Sequence, residues 1–159
     1  MRLTELLSSE RISVHRGGQP GAEDLGKSEA LALLASLLVV GTKLTSDVAL
    51  RVLREREALQ STGIGDGVAI PHGALAELDH QRAALLVVPD GLDFDAIDGQ
   101  KVNILFAVIS PKRATGEHLK TLARISRLLR NRSFREQLLA AADGRAAFDL
   151  LESEEKEPR

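Results

Sequence analysis

The apolar positions of this chain change texture about a third of the way along. Leu3, Leu6 and Leu7 form a short helical pattern ahead of a candidate strand over Arg11–Val14. Gly17-Gly18-Gln19-Pro20-Gly21 marks a loop, because glycine and proline cluster where a chain turns. Ser28, followed by Glu29 and a run of Ala and Leu, predicts a capped helix ending near Gly41. Thr45 predicts the start of a second helix, with Val48, Leu50, Val52, Leu53 and Leu59 on its apolar side. From Ser61 to Gly73 the alternate glycines Gly63, Gly65 and Gly67 disfavour a helix and predict loop followed by a short extended piece. Ala83–Val88 and Val102–Ile109 are continuous runs of Val, Leu, Ile and Ala, as in strands buried on both faces, with turns expected at Asp90-Gly91 and Asp98-Gly99. Thr115 then predicts the cap of a long helix with Leu119, Leu122, Ala123, Ser126 and Leu129 on one stripe, followed by helical pieces at Phe134–Ala142 and Gly144–Leu151. The charged run 152–159 lacks apolar anchors and is expected to be disordered. The order of elements implies an α/β chain of mixed character: one domain over residues 1–151, a small mixed sheet flanked by helices.

Composition narrows the class. A chain of 159 residues with 43% apolar side chains can bury one sizeable core without disulfides or a structural metal. It has no cysteine, which removes thiolate nucleophiles and cysteine zinc sites together. With 21 basic against 23 acidic side chains, the net charge of -2 argues against nucleic-acid binding, which needs a concentrated basic surface. The longest apolar stretch, Ala30–Val40, is interrupted by Ser36 and falls well short of the roughly 20 residues that span a bilayer. Glu5 and Glu10 interrupt what a signal peptide would keep apolar, so the expected location is the cytoplasm, with no direct membrane insertion.

Two motifs compete for the chemistry. Gly21-Ala-Glu-Asp-Leu-Gly26-Lys27-Ser28 satisfies the phosphate-loop pattern, in which amides surround phosphates and a lysine reaches the terminal ones. Against it, Glu23 and Asp24 would place carboxylates inside an anion cradle, and the preceding segment, His15 to Pro20, is not a buried strand. The favoured reading is a loop with Gly26 ahead of a capped helix. The second motif is the glycine-rich segment ending in Ile70-Pro71-His72-Gly73. Proline biases Ile70 to an extended conformation and fixes its own φ, so His72 sits on a stiff backbone. A lone histidine is more often structural, but this setting adds amides of Gly63, Gly65 and Gly73, hydroxyls of Ser61 and Thr62, and the guanidinium of Arg56, all suited to an anion. His118, in the first turn after Thr115, lies where a helix dipole favours a neutral imidazole or attracts an anion. His15 and His80 read as surface residues, and no histidine pair has metal-site spacing on a helix.

The segment Arg56-Glu57 through Ser61-Thr62-Gly63-Ile64-Gly65-Asp66-Gly67-Val68-Ala69-Ile70-Pro71-His72-Gly73 resembles the signature of the enzyme IIA domain of the fructose/mannitol class of the bacterial phosphoenolpyruvate-dependent phosphotransferase system. The resemblance continues through Phe94-Asp95-Ala96-Ile97-Asp98-Gly99-Gln100-Lys101-Val102-Asn103-Ile104-Leu105-Phe106 and Glu117-His118-Leu119-Lys120-Thr121-Leu122, covering nearly the whole chain. It implies the fold of that class, His72 as phosphoryl acceptor, His118 as the second histidine that stabilises the phosphorylated state, and Arg56 as the arginine of the pocket. It also implies an HPr-type phosphocarrier as donor, a IIB protein or a regulated transporter or kinase downstream, reaction at Nε2, and no metal or other cofactor. Two positions depart from it: Asn103 stands where aspartate is frequent, and Ala74 where a basic residue is frequent.

Three functions follow for comparison. The first is a phosphocarrier using His72 as a covalent intermediate, with a nitrogen-regulatory branch favoured over sugar delivery to a separate IIB. The second is a non-catalytic binding module switched by phosphorylation of His72. The third is the nucleotide-binding protein of Gly21 to Ser28.

Overall fold

In a computed structural model the described residues are 2–17 and 25–156. The apolar run of the sequence's last third becomes the central strand, Val102–Pro111 (β6), with every residue but Asn103 buried. Arg82–Leu92 (β5) pairs antiparallel with it, from Arg82 opposite Ile109 to Val87 opposite Ile104. Ile12–Val14 (β1) lies parallel outside β5. Along the other edge of β6 run two short parallel strands in succession. Val68–Ala69 (β3) is opposite Ile104 and Leu105, and His72–Leu75 (β4) is opposite Val108–Pro111. Gly63–Gly65 (β2) closes the sheet antiparallel to β3.

Because side chains alternate along a strand, the two faces of β6 feed two separate cores. Leu105, Ala107 and Ile109 pack with Lys27–Leu38 (α1) and Ser46–Leu59 (α2). Ile104, Phe106 and Val108 pack under Thr115–Leu129 (α3), Arg132–Leu139 (α4) and Gly144–Lys156 (α5). Both faces being covered explains why β5 and β6 are apolar runs rather than alternating ones. The expected mixed sheet flanked by helices is therefore the observed architecture, and no helix among the described residues is long and apolar enough to cross a membrane.

Several local expectations differ. The first helix is capped by Gly26, not Ser28, which lies inside it and receives a hydrogen bond from Arg54. Leu59, assigned to the apolar side of α2, is 82% exposed. The stretch 61–73 is a hairpin more than a loop, since Asp66 and Gly67 both take positive φ, 58° and 77°, and turn β2 into β3. Asp90-Gly91 is not a turn but an irregularity within β5, with Gly91 at φ 76°. The charged tail is helical as far as Lys156. Its Glu155 carboxylate accepts from the backbone N–H of Leu3 (2.7 Å) and Thr4 (2.9 Å), a tertiary anchor that local composition does not reveal. Residues 157–159 and Gly18–Asp24 lie outside the described residues.

Positions 68–75 run along β6 as one strand interrupted at Ile70-Pro71. Proline has no N–H to give, and here only its carbonyl is asked for: Val108 N–H donates to it at 3.0 Å. Past the interruption His72 falls on the face of Val108, toward α3, while Gly73 falls on the face of α2. A Cβ on Gly73 would stand 3.1 Å from the Val52 Cβ and 3.2 Å from its Cγ1, so α2 packs directly on bare backbone. Gly73→Ala is expected to lower stability by about 1–3 kcal/mol, the scale of overpacking. In urea denaturation, Val52→Ala should recover part of that loss; additive losses in the double variant would contradict the contact.

Candidate functional site

The interruption at Pro71 shapes the chemistry of the next residue. With Ile70 extended and Pro71 fixed, the Ile70 carbonyl lies 2.7 Å from His72 Nδ1. A carbonyl can only accept, so Nδ1 carries the proton and, in the neutral ring, Nε2 holds the lone pair. Among the described residues no hydrogen bond engages that Nε2. Ile70 is itself held, its N–H donating to the Thr62 carbonyl at 3.0 Å.

His118 meets His72 from α3, the ring centroids 5.4 Å apart and the planes inclined at 50°. Its Nδ1 is 2.6 Å from Ser110 Oγ at the end of β6. Burial disfavours the charged form of both imidazoles and lowers both pKa values from the ordinary histidine value. For His72 the Ile70 hydrogen bond opposes this, the Arg56 guanidinium adds to it, and Glu57 opposes it weakly. For His118 a charge on His72 adds to the lowering.

An open cleft beside His72 is lined by Arg56 from the last turn of α2, Ser61 and Thr62, Ile64 and Ile97, and Leu122 and Ser126 of α3. The expected apolar stripe of α3 thus divides. Thr121, Ile125, Leu128 and Leu129 are buried, whereas Leu122, Ala123 and Ser126 wall the cleft and Leu119 is 61% exposed. Thr115 is the first helical residue rather than the cap, a position taken by Ala114 without a side-chain hydrogen bond.

The structure brings together His72, His118 and Arg56, but not the expected cradle of hydroxyls and amides. Thr62 gives its N–H and its hydroxyl to Glu57, the latter at 2.6 Å. The Ser61 hydroxyl donates to the Phe94 carbonyl (3.1 Å) and accepts from the Gly63 N–H. Gly65 lies in the edge strand β2 and Gly73 in β4, paired to β6. The donors of Ser61, Thr62 and Gly63 already have protein partners, so these groups hold the site's walls.

Glu57 is the residue that sequence reasoning passed over on this side. Its side chain is buried, and Lys27 Nζ lies 3.1 Å from Oε1, 3.5 Å from Asp95 and 4.9 Å from the centre of the Phe94 ring. Lys27 is therefore committed to closing α1 against α2, and Ser28 is exposed beside Arg54. This overturns the phosphate-loop reading for the described part of that motif; Gly21 to Asp24 lie outside the described residues. Gln81, Ser110 and Thr121 were also passed over, although each is a polar residue at the margin or in the middle of an apolar run. His15 follows β1 and His80 is exposed in the loop before β5. Among the described residues no group of three or more histidines and carboxylates is placed to hold a metal ion.

Comparison with known proteins gives a consistent result. Residues 22–154 match the family described as phosphoenolpyruvate-dependent sugar phosphotransferase system, EIIA 2. A nitrogen regulatory protein of Bradyrhizobium diazoefficiens is 35% identical over 151 residues, covering 95% of each chain. The crystal structure of the nitrogen regulatory protein IIA-Ntr of Neisseria meningitidis superposes with a TM-score of 0.83 at 31% identity, covering 94% of this chain and 98% of that one. The enzyme IIA of mannitol from Escherichia coli, solved in complex with phosphorylated mannitol enzyme IIB, shares the fold at a TM-score of 0.70 and 19% identity, covering 93% of this chain and 99% of that one.

The electrostatics give a direct test. Carbon-bound ring protons followed by NMR should show His72 and His118 titrating below the ordinary value of 6.5. Arg56→Leu, by removing a nearby cation, should move the His72 midpoint upward. A His72 midpoint at or above 6.5 in the unaltered protein would contradict the burial argument.

Proposed function

The chain belongs to the EIIA 2 family of the phosphoenolpyruvate-dependent sugar phosphotransferase system, and on that premise we propose that it is a phosphocarrier of the nitrogen-regulatory type with His72 as its phosphoryl acceptor. The observation that carries the residue assignment is the Nδ1–H bond to Ile70, which leaves the Nε2 lone pair without a partner among the described residues, on a ring that lines the open cleft.

The step is a transfer between two imidazoles. The His72 Nε2 lone pair forms a P–N bond while the P–N bond to the donor's phosphohistidine breaks and the leaving nitrogen keeps its electron pair. The bond formed is of the kind broken, so the direction of transfer rests on which pocket better stabilises the product. As the bond forms the His72 ring becomes cationic, and its Nδ1–H strengthens the bond to the Ile70 carbonyl without a proton having to leave. Positioning and charge stabilisation are what phosphoryl transfer chiefly requires. Arg56 supplies a permanent cation and His118 a second nitrogen against the phosphoryl oxygens. Ser61, Thr62 and the glycines act through the wall they build. No step needs a metal or other cofactor.

The rim points to a protein as donor. Ile97 (67% exposed) and Ile64 (49%) line the cleft beside His72, and Leu119 (61%) is exposed next to His118 in sequence; exposed apolar side chains of this size suit a protein partner better than a small anion. An HPr-type carrier fits that role. IIA domains exchange phosphoryl groups with IIB partners, and a IIB protein or a regulated transporter or kinase is the corresponding downstream partner here. A cytoplasmic location accords with such partners.

Incubation with phosphoenolpyruvate, enzyme I and the HPr-type carrier of the source organism should place an acid-labile phosphate on His72, located by mass spectrometry and absent in His72→Ala. His118→Ala should slow acceptance by roughly 100-fold, the scale of losing one preorganised donor. Absence of label, or undiminished label in His72→Ala, would sink the assignment. Loss of label to an added IIB would favour relay, and retention would favour the regulatory branch.

A further inference from the structure

Behind His118 three side chains make a buried polar chain through the apolar core. Thr121 on α3 and Ser110 on β6 are wholly buried, and Gln81, just ahead of β5, is 8% exposed. Thr121 Oγ1 donates to Gln81 Oε1 at 2.8 Å, Gln81 Nε2 donates to Ser110 Oγ at 2.9 Å, and Ser110 Oγ lies 2.6 Å from His118 Nδ1. Among the described residues no buried side-chain nitrogen or oxygen lacks a partner, so the chain is complete. Unpaired, such groups are costly to bury; paired, they specify one arrangement.

With the Gln81 amide oxygen on Thr121 and its nitrogen on Ser110, that arrangement has a direction. The threonine hydroxyl spends its proton on the glutamine carbonyl, and the glutamine amide spends one of its protons on the serine oxygen. The serine hydroxyl, already an acceptor, has its own proton left to give, and its remaining partner is His118 Nδ1. Nδ1 is then an acceptor, and the neutral imidazole carries its proton on Nε2.

We propose that Gln81, Ser110 and Thr121 are positioning residues that fix His118 as the Nε2–H tautomer, so that it offers a hydrogen-bond donor, not a lone pair, to a phosphoryl group on His72. The inference rests on the phosphocarrier reading for its purpose, though not for its geometry. The two neighbouring imidazoles are thereby held in opposite tautomers. His72 donates from Nδ1 and is nucleophilic at Nε2; His118 accepts at Nδ1 and donates from Nε2. The opposite tautomer of His118 would turn a lone pair toward anionic oxygens and weaken the acceptor site. Burial, which favours the neutral form of His118, makes its tautomer matter, since an imidazolium would donate from both nitrogens.

Long-range proton–nitrogen NMR of protein labelled at histidine nitrogens, at a pH above both titrations, reads the tautomers directly. His118 should show an unprotonated Nδ1 and a protonated Nε2, and His72 the reverse. Gln81→Glu keeps the shape and, once ionised, supplies only acceptors, so Ser110 must turn its proton toward residue 81 and accept from His118. The expected result is a His118 switched to Nδ1–H or titrating at higher pH, with phosphoryl acceptance by His72 slowed by up to roughly 100-fold. Ser110→Ala should uncouple His118 from residue 81, so that adding Gln81→Glu no longer moves its tautomer. A wild-type His118 already protonated at Nδ1 overturns the proposal without any variant. So does a folded Gln81→Glu protein whose His118 tautomer and titration are unchanged. If both tautomers are as stated but the wild type takes no phosphate from the carrier, the phosphocarrier reading fails and the tautomer assignment stands.

Discussion

The hydrogen bond from His72 Nδ1 to the Ile70 carbonyl is the interaction around which the site is organised. It spans only two residues, yet it exists because the chain is stopped and restarted along β6. Val68-Ala69 and His72–Leu75 both pair with that strand, and Pro71 between them gives its carbonyl to Val108 while having no N–H to leave unpaired. The two-sided burial of β6 makes the track rigid. A rigid track, a fixed φ and an extended Ile70 aim one carbonyl at one ring nitrogen. In the proposed transfer, the reactive atom is thus selected by backbone geometry before any neighbouring side chain is considered.

Two buried polar clusters then flank the histidine, one from each helical layer. On the α1/α2 side, Glu57 accepts from the Thr62 amide and hydroxyl and is paired with Lys27, tying the end of α2 to the hairpin. That hairpin hands the constraint on, because Thr62 also accepts from the Ile70 N–H. On the α3 side, Thr121, Gln81 and Ser110 end at His118. Buried polar groups are a cost unless satisfied, and both clusters are satisfied by groups that would otherwise have stood near the site. The hydroxyls around His72 are therefore engaged by protein partners, and the permanent charge lining the cleft is that of Arg56.

Much of this was legible in the sequence where burial is two-sided or spacing is local. β5 and β6 could be read from continuous Val, Leu and Ile, and α1, α2 and α3 from their apolar spacing. The short strands on the other side of β6 could not: β3 and β4 are held by pairing with β6, and β2 by pairing with β3, not by composition. Asp90-Gly91 signals a positive φ equally well in a turn or inside an irregular strand, and only the partner strand decides. Ser61 and Thr62 announce donors without announcing acceptors, so a phosphate cradle was inferred where Glu57 and Phe94 had taken the protons. The tail to Lys156 is helical through contacts with Leu3 and Thr4 at the far end of the chain. His118 beside His72 came from the resemblance, since nothing in local spacing relates a strand break to the start of a distant helix.

In the proposed transfer the backbone at Ile70-Pro71 chooses the reacting nitrogen of His72. This choice is tested most directly on histidine-labelled protein after phosphorylation by the carrier, with nitrogen–phosphorus coupling used to identify the ring atom bonded to phosphorus. Attachment is expected at His72 Nε2, with Nδ1 still protonated and bonded to Ile70. Phosphorus on Nδ1, which would require the Ile70 bond to have been given up, would contradict it.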